Sequence, residues 1–325
     1  MTSAPTMATA KRLRTHDRLL LHLSWGLVLA VFLSIGWMAM KPWDPHGAVS
    51  LLSHGDPVLM AVEVLALAAV MAALATVLAG RAFPDVGVFA VGVGLAGVSL
   101  QGNTTSSLLI DRGGGNLAPS LAMESLFWCA VMALAMLSSA AVVRWRTFSS
   151  SGMEPGRSSP AGETAPPLGQ MAAANIPVVG RLLLGGGRTT TATHWRDGLK
   201  HLGMATAIAL VLIRVLAAGA PDGAIRHGQA FFAISAGVYV GVRQAQKSYP
   251  VSATLWPCLT APVVCLLAMA WSWLMGMGDG STSPPSVPAS TYLRALPITY
   301  ISVGTVAALL AIWPALRGRP PDGVE

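Results

Sequence analysis

Two octets of the chain carry opposite charges in matching frames. In "SLAMESLF", residues 120–127, Glu124 stands at the head of a long apolar run; in "STYLRALP", residues 290–297, Arg294 does the same. Both octets have serine first and leucine seventh, with the charge fifth. A carboxylate suits the positive end of a helix dipole, whereas a guanidinium in that place needs an outside partner. The pattern predicts two copies of one helix whose charges, Glu124 and Arg294, meet across a repeat interface. A second pair of opposite sign is Glu63 and Arg214. Each lies six residues inside a run, about 9 Å deep at 1.5 Å per residue. Charges inside spans are functional candidates with a named partner. The ordinary alternative is that Arg214 snorkels to the headgroups alone.

The histidines form a second constellation. His22 and His201 enter the apolar runs from one side, and His54 and His227 stand at the other. Two pairs at two depths is the arrangement of bis-histidine ligation in a dihaem b-type cytochrome. All four lie within about a turn of a run's end, where histidines ordinarily meet headgroups and water. No C-x-x-C-H occurs, which excludes covalent haem c. The loop "DPHGAVSLLSHGDP", residues 44–57, offers Asp44, His46, His54 and Asp56 as mixed N/O ligands for a divalent metal. Asp-Pro and Gly-Asp are equally ordinary turn chemistry, and that reading is favoured.

No other motif carries chemistry. The chain holds no G-x-S-x-G, no H-E-x-x-H and no paired catalytic carboxylates. Gly92-x-Gly94-x-x-Gly97 lies within an apolar run with no preceding strand, so it is no dinucleotide fingerprint. Ala90 and Gly94, with Ala233, Gly237 and Gly241, instead predict close helix approach. Cys129, Cys258 and Cys265 all fall inside apolar runs and make no disulfide framework.

The elements that position these residues follow from composition. Of 325 residues 53% are hydrophobic and 11% charged, with mean hydropathy +0.59. A soluble chain carries about 25% charged residues, so the deficit points to lipid as solvent. Spanning takes about 20 apolar residues per helix. Runs at 19–40, 57–80, 83–100, 118–143, 199–220, 224–242, 250–276 and 292–316 meet that description. The predicted fold class is all-α and polytopic, with eight transmembrane helices. Sixteen of the 21 Lys and Arg residues fall on one side of such a bundle and four on the other. That partition predicts both termini in the cytoplasm of a cell (inner) membrane. Basic residues that flank helices instead of forming a patch exclude nucleic acid as a partner.

The segment 147–193 is rich in Ser, Gly and Pro and reads as a flexible linker. It separates 1–146 from 194–325, and four features recur in order. "THDRLLLHLSWG" resembles "THWRDGLKHLG"; His54-Gly55 matches His227-Gly228; Phe83-Pro84 matches Tyr249-Pro250; the two octets match last. Two tandem four-helix repeats, related by a pseudo-two-fold along the membrane normal, are the expected architecture. The functional expectation is a non-catalytic subunit or scaffold of a larger membrane assembly, its partners the bilayer and other membrane proteins. A transporter or channel with Glu63 and Arg214 at the repeat interface, and a dihaem b-type electron carrier, are the alternatives.

Overall fold

The computed structural model describes residues 15–44, 47–80, 83–102, 105, 107–108, 117–150, 191–218, 227–251, 254–274 and 291–317. Among them the ordered elements are helical: α1 (Thr15–Met40), α2 (Pro57–Ala79), α3 (Val86–Gln101), α4 (Ala118–Ser150), α5 (Thr191–Leu216), α6 (His227–Ser248), α7 (Leu255–Leu274) and α8 (Pro297–Arg317). Short 3-10 turns at Leu51–Ser53 and Thr291–Arg294 precede α2 and α8. Of the expected linker, 147–150 and 191–193 belong to α4 and α5, and 151–190 lies outside the described residues.

The protein is a multi-pass helical membrane protein. Among the described residues six helices, α1, α2, α4, α5, α7 and α8, are long and apolar enough to cross a bilayer, and α3 is apolar but shorter. The hydropathy of α6 is held down by Arg243, Gln244, Gln246 and Lys247 in its last turns. Outward faces are apolar. Val58, Leu59, Val62 and Val70 of α2 and Phe232 and Val240 of α6 are exposed, as suits hydrocarbon solvent, where only helices and closed barrels satisfy their own backbone.

Local sequence explains the helix ends. Pro57 stands at the first turn of α2, where its missing N–H is no loss, and Asp56 Oδ1 accepts from the amides of Val58 (3.1 Å) and Leu59 (3.0 Å). Within α1 a π-turn at Phe32–Gly36 interrupts the ladder, and Ser34 Oγ donates to the Ala30 carbonyl at 2.8 Å. In α7 Pro262 is accommodated without a break in the helix.

Helices α3, α4, α7 and α8 form the middle of the bundle. α3 can sit there because its glycines leave room on three sides. Gly92 faces Val306 and Ser302 of α8, Gly94 faces Phe32 of α1, and Gly87 faces α2 and Ser139 of α4. The small residues of α6 act likewise at the periphery, where Gly237 and Gly241 press on Ala205, Ala209 and Ile213 of α5. Both helices approach their neighbours closely as expected, but only α3 is interior, whereas α6 is exposed on its other face.

The neighbour relations have a regular form. Within α1–α4 the packed pairs are α1–α2, α1–α3, α2–α3, α2–α4 and α3–α4. Within α5–α8 they are α5–α6, α5–α7, α6–α7, α6–α8 and α7–α8. Between the halves α3 packs on α8, α7 on α4, and α4 on α8. Exchange of the halves turns each set into the other.

Candidate functional site

Glu124 lies six residues inside α4 and is buried at the far end of the bundle, the end that holds Met40, Pro57 and Gln101. Three donors meet it. The Ser50 hydroxyl donates to Oε2, and Oε1 accepts from the Trp128 indole N–H at 2.9 Å and from the Leu51 amide at 3.4 Å. Trp128 is one turn on, at the i+4 position that faces Glu124 on a helix. Ser50 also accepts from the Leu52 amide at 3.1 Å and so caps the 3-10 turn. The carboxylate thereby ties the connection between α1 and α2 down onto α4, with Ala48, Val49 and Ser50 buried. No cation among the described residues takes part. Three hydrogen-bond donors satisfy the carboxylate oxygens without an ion pair.

One residue on, Ser125 gives its hydroxyl hydrogen to the Leu121 carbonyl at 2.7 Å and lies 3.2 Å from Cys265 Sγ of α7. The serine hydrogen being committed, the Cys265 S–H is the donor of that contact. It is a polar link across the seam between the halves.

Arg294 does not occupy the frame of Glu124. It ends the 3-10 turn before α8, and its Nη1 donates to the Ala217 carbonyl at 3.3 Å, past the end of α5. Each charge is bound within its own half, and no ion pair joins them. The helices align instead by their prolines, Pro119 and Pro297, each in a first turn. The octets share letters but not helical position.

Glu63 and Arg214 are likewise apart. Arg214 donates to Thr291 Oγ1. Glu63 is exposed on the outward face of α2 with no hydrogen bond or ion pair among the described residues.

The histidines hold unlike places. His22 is exposed on α1, where its Nδ1 accepts from the Trp25 indole at 3.1 Å. His201 is fully buried in α5. Its Nδ1 lies 3.1 Å from the Tyr249 carbonyl and must carry the hydrogen, since a carbonyl only accepts; Nε2 is buried without a partner. His54 Nδ1 bonds the main chain of Asp56, while the Asp56 carboxylate caps α2. Asp44 is exposed in the same connection. His46 and the His227 side chain lie outside the described residues. Among the described residues no three His, Cys, Asp or Glu side chains cluster as a metal site.

A crevice of about 690 Å³ opens along the α3–α8 seam, flanked by α1 and α6. Leu29, Val93, Phe231, Val240, Val303 and Leu310 are typical of its apolar walls, which otherwise show only the polar side chains of Ser235 and Tyr239.

At the opposite, basic end the halves meet through Thr254, whose Oγ1 donates to Asp85 Oδ1 at 3.2 Å. Burial pushes the Asp85 carboxyl up to about 6, against the opposing effect of that hydrogen bond. Sequence reasoning did not single out Asp85, Thr254, Ser50 or Trp128. Only Trp128, four residues after an acid, left a local signal. No family model, curated protein or solved structure matches the chain.

Proposed function

We propose that the protein is an eight-span bundle of two four-helix repeats, with both termini cytoplasmic, and that it serves as a non-catalytic subunit or scaffold of a larger assembly in the cell membrane. The repeat reading is supported by the neighbour relations, which survive exchange of the halves. The subunit reading is carried by one observation: Glu63 lies exposed on the outward, apolar face of α2, among Val58, Leu59, Val62 and Val70. An ionisable group inside a span is costly against lipid, at several kcal/mol near the middle. A neighbouring subunit that brings a donor or cation to that face removes the cost.

The apolar walls of the seam crevice favour this reading over a solute path at the repeat interface. A path for ions or polar solutes needs a sequence of polar groups along it, and here hydroxyls mostly bond their own helix, as Ser125, Ser139, Ser272 and Ser302 do.

The test is the size of the particle extracted from native membranes in mild detergent. The expected result is a stoichiometric complex that Glu63→Leu dissociates while the chain itself stays folded. A monodisperse single chain, unchanged by the substitution, rejects the subunit reading.

A further inference from the structure

Two arginines at the far end reach across to each other's element. Arg214, near the end of α5, donates to Thr291, the first residue of the 3-10 turn; Arg294, the last residue of that turn, donates to the carbonyl of Ala217. Residues three apart share a face on either kind of helix. The two guanidinium groups are therefore brought side by side. Tyr292 holds the turn in place, with its hydroxyl donating to the Leu210 carbonyl at 3.3 Å and its own carbonyl accepting from Tyr300 at 3.0 Å.

Among the described residues both arginines bond only neutral acceptors. A guanidinium carries five N–H donors, and each of these uses one. Arg294 Nε is buried with no hydrogen-bond partner among the described residues. Burial, then the charge of Arg214, lower the Arg294 pKa from its ordinary value, so the second cation makes the first less comfortable. No carboxylate among the described residues neutralises either group. Two neighbouring cations with unused donors, held by one turn of backbone, have the chemistry that recognises an oxyanion.

We infer that Arg214 and Arg294 together bind a phosphate-type oxyanion. Its source is either the headgroup of a lipid in the leaflet at the far end or inorganic phosphate. The site lies where the apolar part of α5 ends at Leu216, the depth of headgroups in a bilayer. The anion cross-links the end of α5 to the start of α8, which runs down the seam. This inference does not depend on the subunit reading.

The experiment uses the full chain in a neutral detergent and phosphate-free buffer. Thermal unfolding is followed during titration with sodium phosphate, against sodium chloride at equal ionic strength. A parallel series adds phosphatidylglycerol, against an uncharged glycolipid. The expected result is a saturable rise in Tm of about 3 °C or more at a hundredfold excess over Kd with at least one probe. Arg294→Gln abolishes the rise and Arg214→Gln at least halves it, whereas Arg196→Gln at the basic end leaves it intact. A response to phosphate alone assigns the aqueous anion, and a response only to lipid assigns the headgroup. Absence of a saturable rise with both probes, or an undiminished rise in Arg214→Gln, overturns the site. Arg214 is exposed, so that variant decides even where Arg294→Gln does not fold.

Discussion

Thr254 and Asp85 hold the same place in different halves and hydrogen-bond to each other. Asp85 is the residue immediately before α3 and Thr254 the residue immediately before α7, and the 3.2 Å bond joins them across 169 positions of sequence. Under the proposed two-repeat arrangement these two are counterparts, and counterparts meet where they lie on a pseudo-two-fold axis. Two helix N-termini, each with a partial positive charge, are brought to one carboxylate. The side chain of Asp85 makes no cap bond to its own helix, so its hydrogen-bonding capacity serves the junction.

The Asp85 carboxyl gives a signed pH dependence. Its folded-state pKa of about 6 lies above the ordinary value of 3.8. Between those values the folded chain keeps a proton that the unfolded chain has lost, so stability falls as pH rises from about 4 to 6 and levels off above. At about 1.4 kcal/mol per pKa unit the loss is on the order of 2–3 kcal/mol. Asp85→Asn keeps an acceptor for Thr254 and removes the charge. Thermal unfolding across this range is expected to show a flatter profile for Asp85→Asn and about 2 kcal/mol more stability at pH 7. A variant no more stable than the parent at pH 7 contradicts the assignment.

Composition and periodicity made the helices legible because lipid imposes one rule on every span. The predicted runs therefore agree with the observed helices to within a few residues at most ends, although α1 begins at Thr15 and α5 well before residue 199. The charge pairs were less legible. Letter matching aligned Glu124 with Arg294, but Pro119 and Pro297 start the two helices, and a shift of several residues rotates a helical position to another face. Partners such as Ser50 and Thr254 were invisible for another reason. Serine and threonine are ordinary at turns and caps, so nothing local distinguishes one that crosses to another segment.

The α5–α6 contact rests on glycine. A Cβ on Gly237 would lie 3.0 Å from the Ala209 carbonyl and 2.9 Å from Ile213, and one on Gly241 would collide with the Ala205 carbonyl. Backbone cannot yield as a flexible side-chain tip does. Gly241→Leu is expected to lower stability by about 1–3 kcal/mol, the usual cost of overpacking, and Gly228→Ala, whose Cβ meets nothing within 4 Å, to leave it nearly unchanged. Equal effects of the two in a thermal unfolding series would show that the helices do not approach this closely.

Topology tests the two helices that hydropathy treats least kindly, α3 and α6. Reporter fusions after Arg146 and after Arg319 are expected to report cytoplasm, and a fusion near Gly113 the opposite side. The reason is the sixteen-to-four partition of basic residues. A cytoplasmic signal at Gly113 means that α3 does not cross, and the eight-span arrangement falls with it.

Glu124 makes the sharpest mutational contrast, because its three donors come from two separate segments. Glu124→Ala leaves the Ser50 hydroxyl, the Leu51 amide and the Trp128 indole without their acceptor in a buried place. Each orphaned donor costs about 1–3 kcal/mol, and the cavity adds to it, so a loss of about 3 kcal/mol or more is expected. Glu124→Gln keeps one acceptor oxygen for Trp128 and Leu51. Its amide group faces Ser50, whose oxygen already accepts from Leu52, and the serine hydrogen is then left over. That loss is expected to be about 1 kcal/mol. Trp128→Phe removes one donor with the carboxylate intact and belongs near the smaller value. Melting temperatures of the three variants in one detergent rank them. If Glu124→Ala melts with Glu124→Gln, the carboxylate is not what holds the α1–α2 connection against α4.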